Sequence, residues 1–198
     1  MAANPASAMD VEFPNLRAEV AAGYRHAPEH MIAEVIDGEL FTMPRPGTAH
    51  ANAASGLGDE LGPPFRRGRG GPGGWVILDE PELHLGVRPD IVAPDVAGWR
   101  RERMPVIPDV ASHTRAPDWI CEVLVEHTVA RDRGRKMRIY RREGVAHYWI
   151  VDPRLKTLEV YRLENGRYTL LDTWEGDERV RAEPFDAIEL DLATLWAR

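Results

Sequence analysis

Two carboxylates and one lysine carry the chemistry this sequence offers: Asp90 in Arg88-Pro-Asp90, Glu122 in Asp118-Trp-Ile-Cys-Glu-Val-Leu-Val125, and Lys136 in Arg131-Asp-Arg-Gly-Arg-Lys136. Glu122 interrupts an apolar run of strand length, where a carboxylate is costly to desolvate unless a cation or a metal compensates it. Two carboxylates on neighbouring strands can hold Mg²⁺, or Mn²⁺ in its place, with several waters left for a phosphate substrate. A lysine beside them can orient or deprotonate a water and stabilise charge developing on the phosphate. Such a set suits phosphodiester hydrolysis. Lys136 is also unusual by composition, because only it and Lys156 are lysines among 25 basic residues. Arginine does not replace a compact ammonium on a flexible stem. Plainer readings stand beside these: an aspartate after proline fits a turn, and Asp132 with Lys136 fits an ordinary helical ion pair.

The elements that must position these residues are legible from pattern. Residues 118–125 read as a strand covered on both faces. From about Val129 a helix follows, stacking Asp132, Lys136 and Tyr140 on one line, with Gly144 as its stop. The apolar run His147-Tyr-Trp-Ile-Val-Asp152 is the next strand, so strand, helix and strand imply a parallel pair with a crossover helix. Asp37-Gly38 between residues 31–36 and 39–43 signals a hairpin, and Asn165-Gly166 signals a second one. Shorter strands are expected at 75–78, 82–85 and 87–93, and helices at 16–24 and 48–61. A long connection is expected over 94–116 and a docking helix over 190–196. Together these predict an α/β fold with a mixed central β-sheet flanked by helices, plus β-hairpins. Residues 15–198 read as one domain, behind a disordered segment at 1–14.

Composition narrows the function classes. The formal net charge of −7 argues against indiscriminate adhesion to nucleic acid. Basic residues nevertheless bunch along the helix, where Arg133, Arg135, Arg138 and Arg142 are candidates to meet backbone phosphates. A single cysteine, Cys121, permits no intrachain disulfide. No run approaches membrane-spanning length and no secretory pattern opens the chain, so a cytoplasmic location is expected. The seven histidines lack zinc-ligand spacing.

Arg88-Pro-Asp90, Glu122-Val-Leu124, Arg131-Asp-Arg-Gly-Arg-Lys136, Tyr140 and Tyr148-Trp-Ile-Val-Asp152-Pro, with the hairpin Glu34-Val-Ile-Asp-Gly-Glu39-Leu, resemble the Uma-type putative restriction endonuclease family of the PD-(D/E)XK nuclease superfamily. The resemblance runs from about Met31 to Leu192. It implies a restriction-endonuclease-like core and a metal-dependent DNA endonuclease. Asp90 and Glu122 match the metal-binding acids, and Lys136 matches a catalytic lysine moved from the strand to the helix, since Leu124 stands at the usual lysine position. Glu39 is similar to an additional acid of the hairpin motif, and His50 is placed on a helix facing the site. The turn Val125-Glu-His-Thr128 departs from the family's small polar turn, which leaves substrate access open. DNA is the expected partner, with RNA and homodimerisation as open alternatives. A non-catalytic interaction protein on the same fold is the rival reading.

Overall fold

A computed structural model describes residues 15–196. The segment 1–14, expected to be disordered, lies outside the described residues. The chain forms α1 (Ala18–Arg25), the hairpin β1 (Met31–Ile36) and β2 (Glu39–Pro44), and α2 (Thr48–Leu61), which runs into a π-helical turn at Gly62–Arg66. Strands β3 (Trp75–Asp79), β4 (Leu83–Leu85), β5 (Asp90–Val92), β6 (Val96–Arg100) and β7 (Trp119–Val123) follow. The crossover to β8 (His147–Asp152) consists of α3 (Val129–Arg131), a π-helical turn (Asp132–Lys136) and α4 (Met137–Arg142). The chain ends with the hairpin β9 (Thr157–Glu164) and β10 (Arg167–Glu175), two short strands β11 (Arg179–Val180) and β12 (Leu190–Asp191), and a 3₁₀ turn (Leu192–Leu195).

A six-stranded sheet in the order β10-β9-β8-β7-β6-β3 forms the centre. It is mixed: β7 and β8 run parallel through the helical crossover, and the other neighbours are antiparallel. A second sheet, in the order β2-β1-β5-β4, packs beside it. Period-two alternation sends the central strands' side chains to two cores. Trp119, Cys121 and Val123 meet α2 and the C-terminal turn through Leu57, Leu61, Leu192 and Leu195. Ile120 and Leu124 face the other way, toward Ile139 and Tyr140 of α4 and toward Ile36, Leu83 and Val92 of the second sheet. Glu122 shares that second face, so the carboxylate is aimed at the helix by strand alternation alone.

Two expectations are corrected. The long connection over 94–116 contains β6, a strand that pairs with both β3 and β7. Its sequence, Val-Ala-Gly-Trp-Arg, is interrupted by Ala97 and Gly98, both poor strand formers, and Gly98 is there because it lies under two indoles. A Cβ there would stand 3.1 Å from Trp119 and 3.2 Å from Trp75, so the aromatic cover excludes a larger residue. The docking helix expected over 190–196 is instead β12 followed by the 3₁₀ turn, because Leu190 and Asp191 pair with β11 before the chain can wind.

Gly56 and Gly58 sit in α2 for different reasons. A Cβ at Gly56 would stand 2.8 Å from the backbone oxygen of Thr194, so α2 and the C-terminal turn meet backbone to backbone there. A Cβ at Gly58 would find nothing nearer than Asp79 Oδ1 at 4.0 Å. Gly56→Ala is therefore expected to destabilise the fold by roughly 1–3 kcal/mol through overpacking, although alanine is the better helix former. Gly58→Ala is expected to stabilise by up to about 1 kcal/mol. Urea unfolding of the two variants checks the pair, and equal shifts of one sign would contradict it.

Candidate active site

Four carboxylates and a lysine meet where β7, the crossover helix and the first hairpin come together. Glu122, Glu34, Asp132 and Lys136 are each no more than 3% exposed. Lys136 Nζ lies 2.7 Å from Glu122 Oε1, 3.1 Å from Glu34 Oε1 and 3.8 Å from Asp132 Oδ1. The Tyr140 hydroxyl donates to the same Glu122 oxygen at 2.6 Å. The helical line read from the sequence thus faces the strand. The π-helical turn, with Asp132 at its start and Lys136 at its end, places both buried side chains on this inner face.

The fourth carboxylate is Asp95. It directly precedes β6, and continuing the Val96–Cys121 pairing by one residue sets it opposite Glu122. Its Oδ2 accepts the Val123 amide at 2.6 Å, and its Oδ1 lies 2.8 Å from His50 Nε2 of α2. A small cavity of about 40 Å³ is lined by Glu34, His50, Asp95, Glu122, Asp132 and Lys136. That space holds a cation or a water, which needs only about 10–15 Å³. Val125, His127 and Thr128 of the turn also border it. A wider cleft of about 560 Å³ shares His50 and Asp95 and extends along α2 past Arg45, Arg66 and Arg67, with Asp59, Asp79 and Glu80 on its walls.

Asp90 is elsewhere. Its carboxylate accepts the Asp37 amide at 2.6 Å and Arg142 at 2.7 Å, so it ties the first hairpin's turn to the end of α4. It does not line the cavity. The sequence offers four Pro-Asp steps, at Asp90, Asp95, Asp109 and Asp118, and the structure brings the second of them to Glu122. Hidden strand β6 was the missing clue, since Asp95 stands next to Glu122 only once that pairing is known. Glu39 is likewise displaced: it is largely exposed and paired with Arg135 at 2.6 Å, while Glu34 of the same hairpin enters the cavity. Glu34 did carry a signal. It interrupts Met31-Ile-Ala-Glu-Val-Ile36 as Glu122 interrupts its own strand.

Of the four candidate phosphate-binding arginines, three are already engaged: Arg133 with Glu159, Arg135 with Glu39, and Arg142 with Asp90 and Glu143. Arg138 is exposed.

The electrostatics of the cluster are those of an acid surplus. Burial pushes the Glu122 carboxyl well above the usual range; Lys136 pulls it down, and Asp132, Asp95 and Glu34 push it further up. Burial likewise raises Asp132, with Lys136 opposing. Burial disfavours the Lys136 ammonium, but Glu122, Glu34, Asp132 and Asp95 outweigh it and hold the lysine charged. Only Lys136 and Arg131 supply permanent positive charge among the cavity's lining residues. Glu34 Oε2 and Arg131 Nε are buried without a hydrogen-bond partner, at 3.6 Å from each other. An orphaned carboxylate oxygen in a net acidic cavity fits a hard divalent cation. The fit is with a two-carboxylate, water-rich site, since among the described residues no three Asp, Glu, His or Cys side chains form a ready metal cage.

The family model described as "Putative restriction endonuclease", Uma2, matches residues 21–193. The chain belongs to the Uma2 family. No curated protein matches the sequence. Among solved structures, a putative nuclease belonging to DUF820 from Anabaena variabilis ATCC 29413 superposes with a TM-score of 0.63 at 20% identity, covering 83% of this chain and 89% of that one. At that identity the likeness establishes a shared fold. The mixed α/β architecture of this Uma2 chain is thus shared with that structure, and no helix among the described residues is long and apolar enough to cross a membrane.

Removing the lysine alone strands the carboxylates around it. Lys136→Ala is expected to destabilise the protein by about 3–5 kcal/mol, as when one partner of a buried ion pair is deleted. Urea denaturation in the presence of chelator measures it. A loss below about 1 kcal/mol would show that the cluster does not rely on Lys136 for charge balance.

Proposed function

We propose that this Uma2 chain is a metal-dependent DNA endonuclease, with Asp95 and Glu122 as the metal-binding pair and Lys136 as the catalytic lysine. Asp95 takes the place that the sequence assigned to Asp90. One observation carries the reading: Lys136 Nζ lies 2.7 Å from Glu122 in a cavity where four carboxylates outnumber the permanent cations. Such a surplus invites a divalent ion. Mg²⁺, or Mn²⁺ in its place, would neutralise it and, when bound, would supply Lewis-acid polarisation of a phosphate and a lowered pKa for water.

The chain's own groups have separable tasks. Val123 N–H and His50 fix the two oxygens of Asp95, while Tyr140 and Lys136 both bind Oε1 of Glu122. The pair is thereby pre-positioned instead of relying on a ligand to order it. Glu34 also holds Lys136 and lines the cavity, its second oxygen beside Arg131 but without a hydrogen bond. Lys136 would orient the attacking water and stabilise charge on the scissile phosphate, which suits an ammonium kept protonated by its neighbours. The cleft along α2 supplies the approach, with Arg66 and Arg67 placed to meet backbone phosphates. In this reading the turn at Val125 to Thr128 borders the mouth without closing it.

Cleavage of supercoiled DNA in Mg²⁺ or Mn²⁺, compared with chelator, tests the proposal. Asp95→Asn, Glu122→Gln and Lys136→Met are each expected to lower the rate on the order of 10²–10³-fold. Asp90→Asn is expected to retain cleavage in any preparation that folds. Wild-type protein that binds DNA but leaves it intact with either ion would mark a non-catalytic module, and loss of cleavage on Asp90→Asn alone would restore the original assignment.

A further inference from the structure

The helix that carries Lys136 inward carries arginines outward. Arg138 and Arg141 of α4 and Arg167 at the start of β10 line a surface groove of about 330 Å³, together with Arg133, Gly134 and Tyr168. No carboxylate lines it. Arg133 is neutralised by Glu159, but Arg138, Arg141 and Arg167 are exposed, and among the described residues none of the three enters an ion pair or side-chain hydrogen bond. The groove's floor is fixed, because the Tyr168 hydroxyl donates to the Val145 carbonyl at 2.8 Å and locks the β9–β10 hairpin against the end of α4. Residues two apart on a helix point to opposite sides, so the groove lies across the helix from the carboxylate cluster.

We propose that this groove is a second nucleic-acid contact, binding the phosphodiester backbone outside the catalytic cleft. Three like charges on one concave surface repel each other unless an anion joins them, and guanidinium forks match phosphate oxygens. A repeating polyanion suits the groove better than a lipid surface. The exposed lining is arginine, its apolar member Met137 is half-buried against the second core, and the chain's formal net charge of −7 opposes adhesion to an anionic membrane as a whole. The choice of nucleic acid rests on the nuclease reading; the anion-binding character of the groove does not.

The test uses the full chain in chelator, with binding of a fluorescein-labelled DNA duplex followed by anisotropy across a salt series. The triple variant Arg138→Ala, Arg141→Ala, Arg167→Ala is expected to bind more weakly. Its slope of log affinity against log salt should fall in magnitude by about 2–3, since each phosphate contact contributes about 0.9. Replacing the same three residues by lysine should retain most of the slope, which a merely structural role would not predict. A second triple variant, Arg25→Ala, Arg179→Ala, Arg181→Ala, makes the same charge change at exposed positions elsewhere. An unchanged slope in the groove variant, an equal loss in the control, or binding of phosphatidylserine vesicles without binding of DNA would each overturn the proposal. Groove-dependent binding without cleavage in Mg²⁺ would leave the groove standing and remove the catalytic reading. Cleavage with unaltered binding in the groove variant would do the reverse.

Discussion

A buried ammonium shared among carboxylates governs this structure. Lys136 reaches Glu122, Glu34 and Asp132 from the middle of the crossover helix, and each of those acids belongs to a different element: β7, β1 and the π-helical turn. None of the acids could be buried alone, because desolvating an unpaired carboxylate costs several kcal/mol. Their burial therefore depends on the helix lying across the sheet in one register. The same contacts gather more carboxyl groups than permanent cations around one cavity, so a structural requirement and a capacity for cations arise from the same geometry.

Other parts of the fold fix that register. The parallel pair β7 and β8 sets the span that the crossover must bridge, and Tyr148 of β8 donates to the Asp132 carbonyl at 3.1 Å, anchoring the π-helical turn from below. Arg142 at the helix end binds Asp90 of the second sheet, and Arg135 binds Glu39 of its hairpin. These bridges clamp the small sheet onto the helix and keep Glu34 over the cavity. Of the four helix arginines read as phosphate ligands, Arg135 and Arg142 are the rivets of this clamp, and Arg133 is tied to Glu159 of β9 in the central sheet. The groove on the helix's outer side uses the remainder, so one helix serves the charge cluster on one face and an open basic surface on the other.

The sequence made the framework legible because its signals were local. Asp37-Gly38 marked a hairpin, the apolar run around Glu122 marked a buried strand, and Gly144 closed the crossover helix, where the structure has φ of +76°. Membership of the Uma2 family was legible for the same reason, in motifs that are short and contiguous. What pattern could not supply was pairing. β6 looked like a loop because Ala97 and Gly98 break its apolar pattern between Pro94 and Pro105, and a residue without a side chain is what the indoles of Trp75 and Trp119 require at position 98. Without β6, nothing distinguished Asp95 from Asp90. Glu34 was readable by the logic already applied to Glu122. Choosing it over Glu39 needed the alternation of β1, which turns Glu34 toward the core and leaves Glu39 at the exposed start of β2.

The account stands or falls on Asp95 and Glu122 forming one cation site over Lys136. Calorimetric titration of Mn²⁺ into the chelator-treated protein measures this without any substrate. The account predicts a single site in the wild type, lost in Asp95→Asn and in Glu122→Gln and kept in folded Asp90→Asn. Undiminished Mn²⁺ binding in Asp95→Asn, or loss of binding in Asp90→Asn alone, would contradict it.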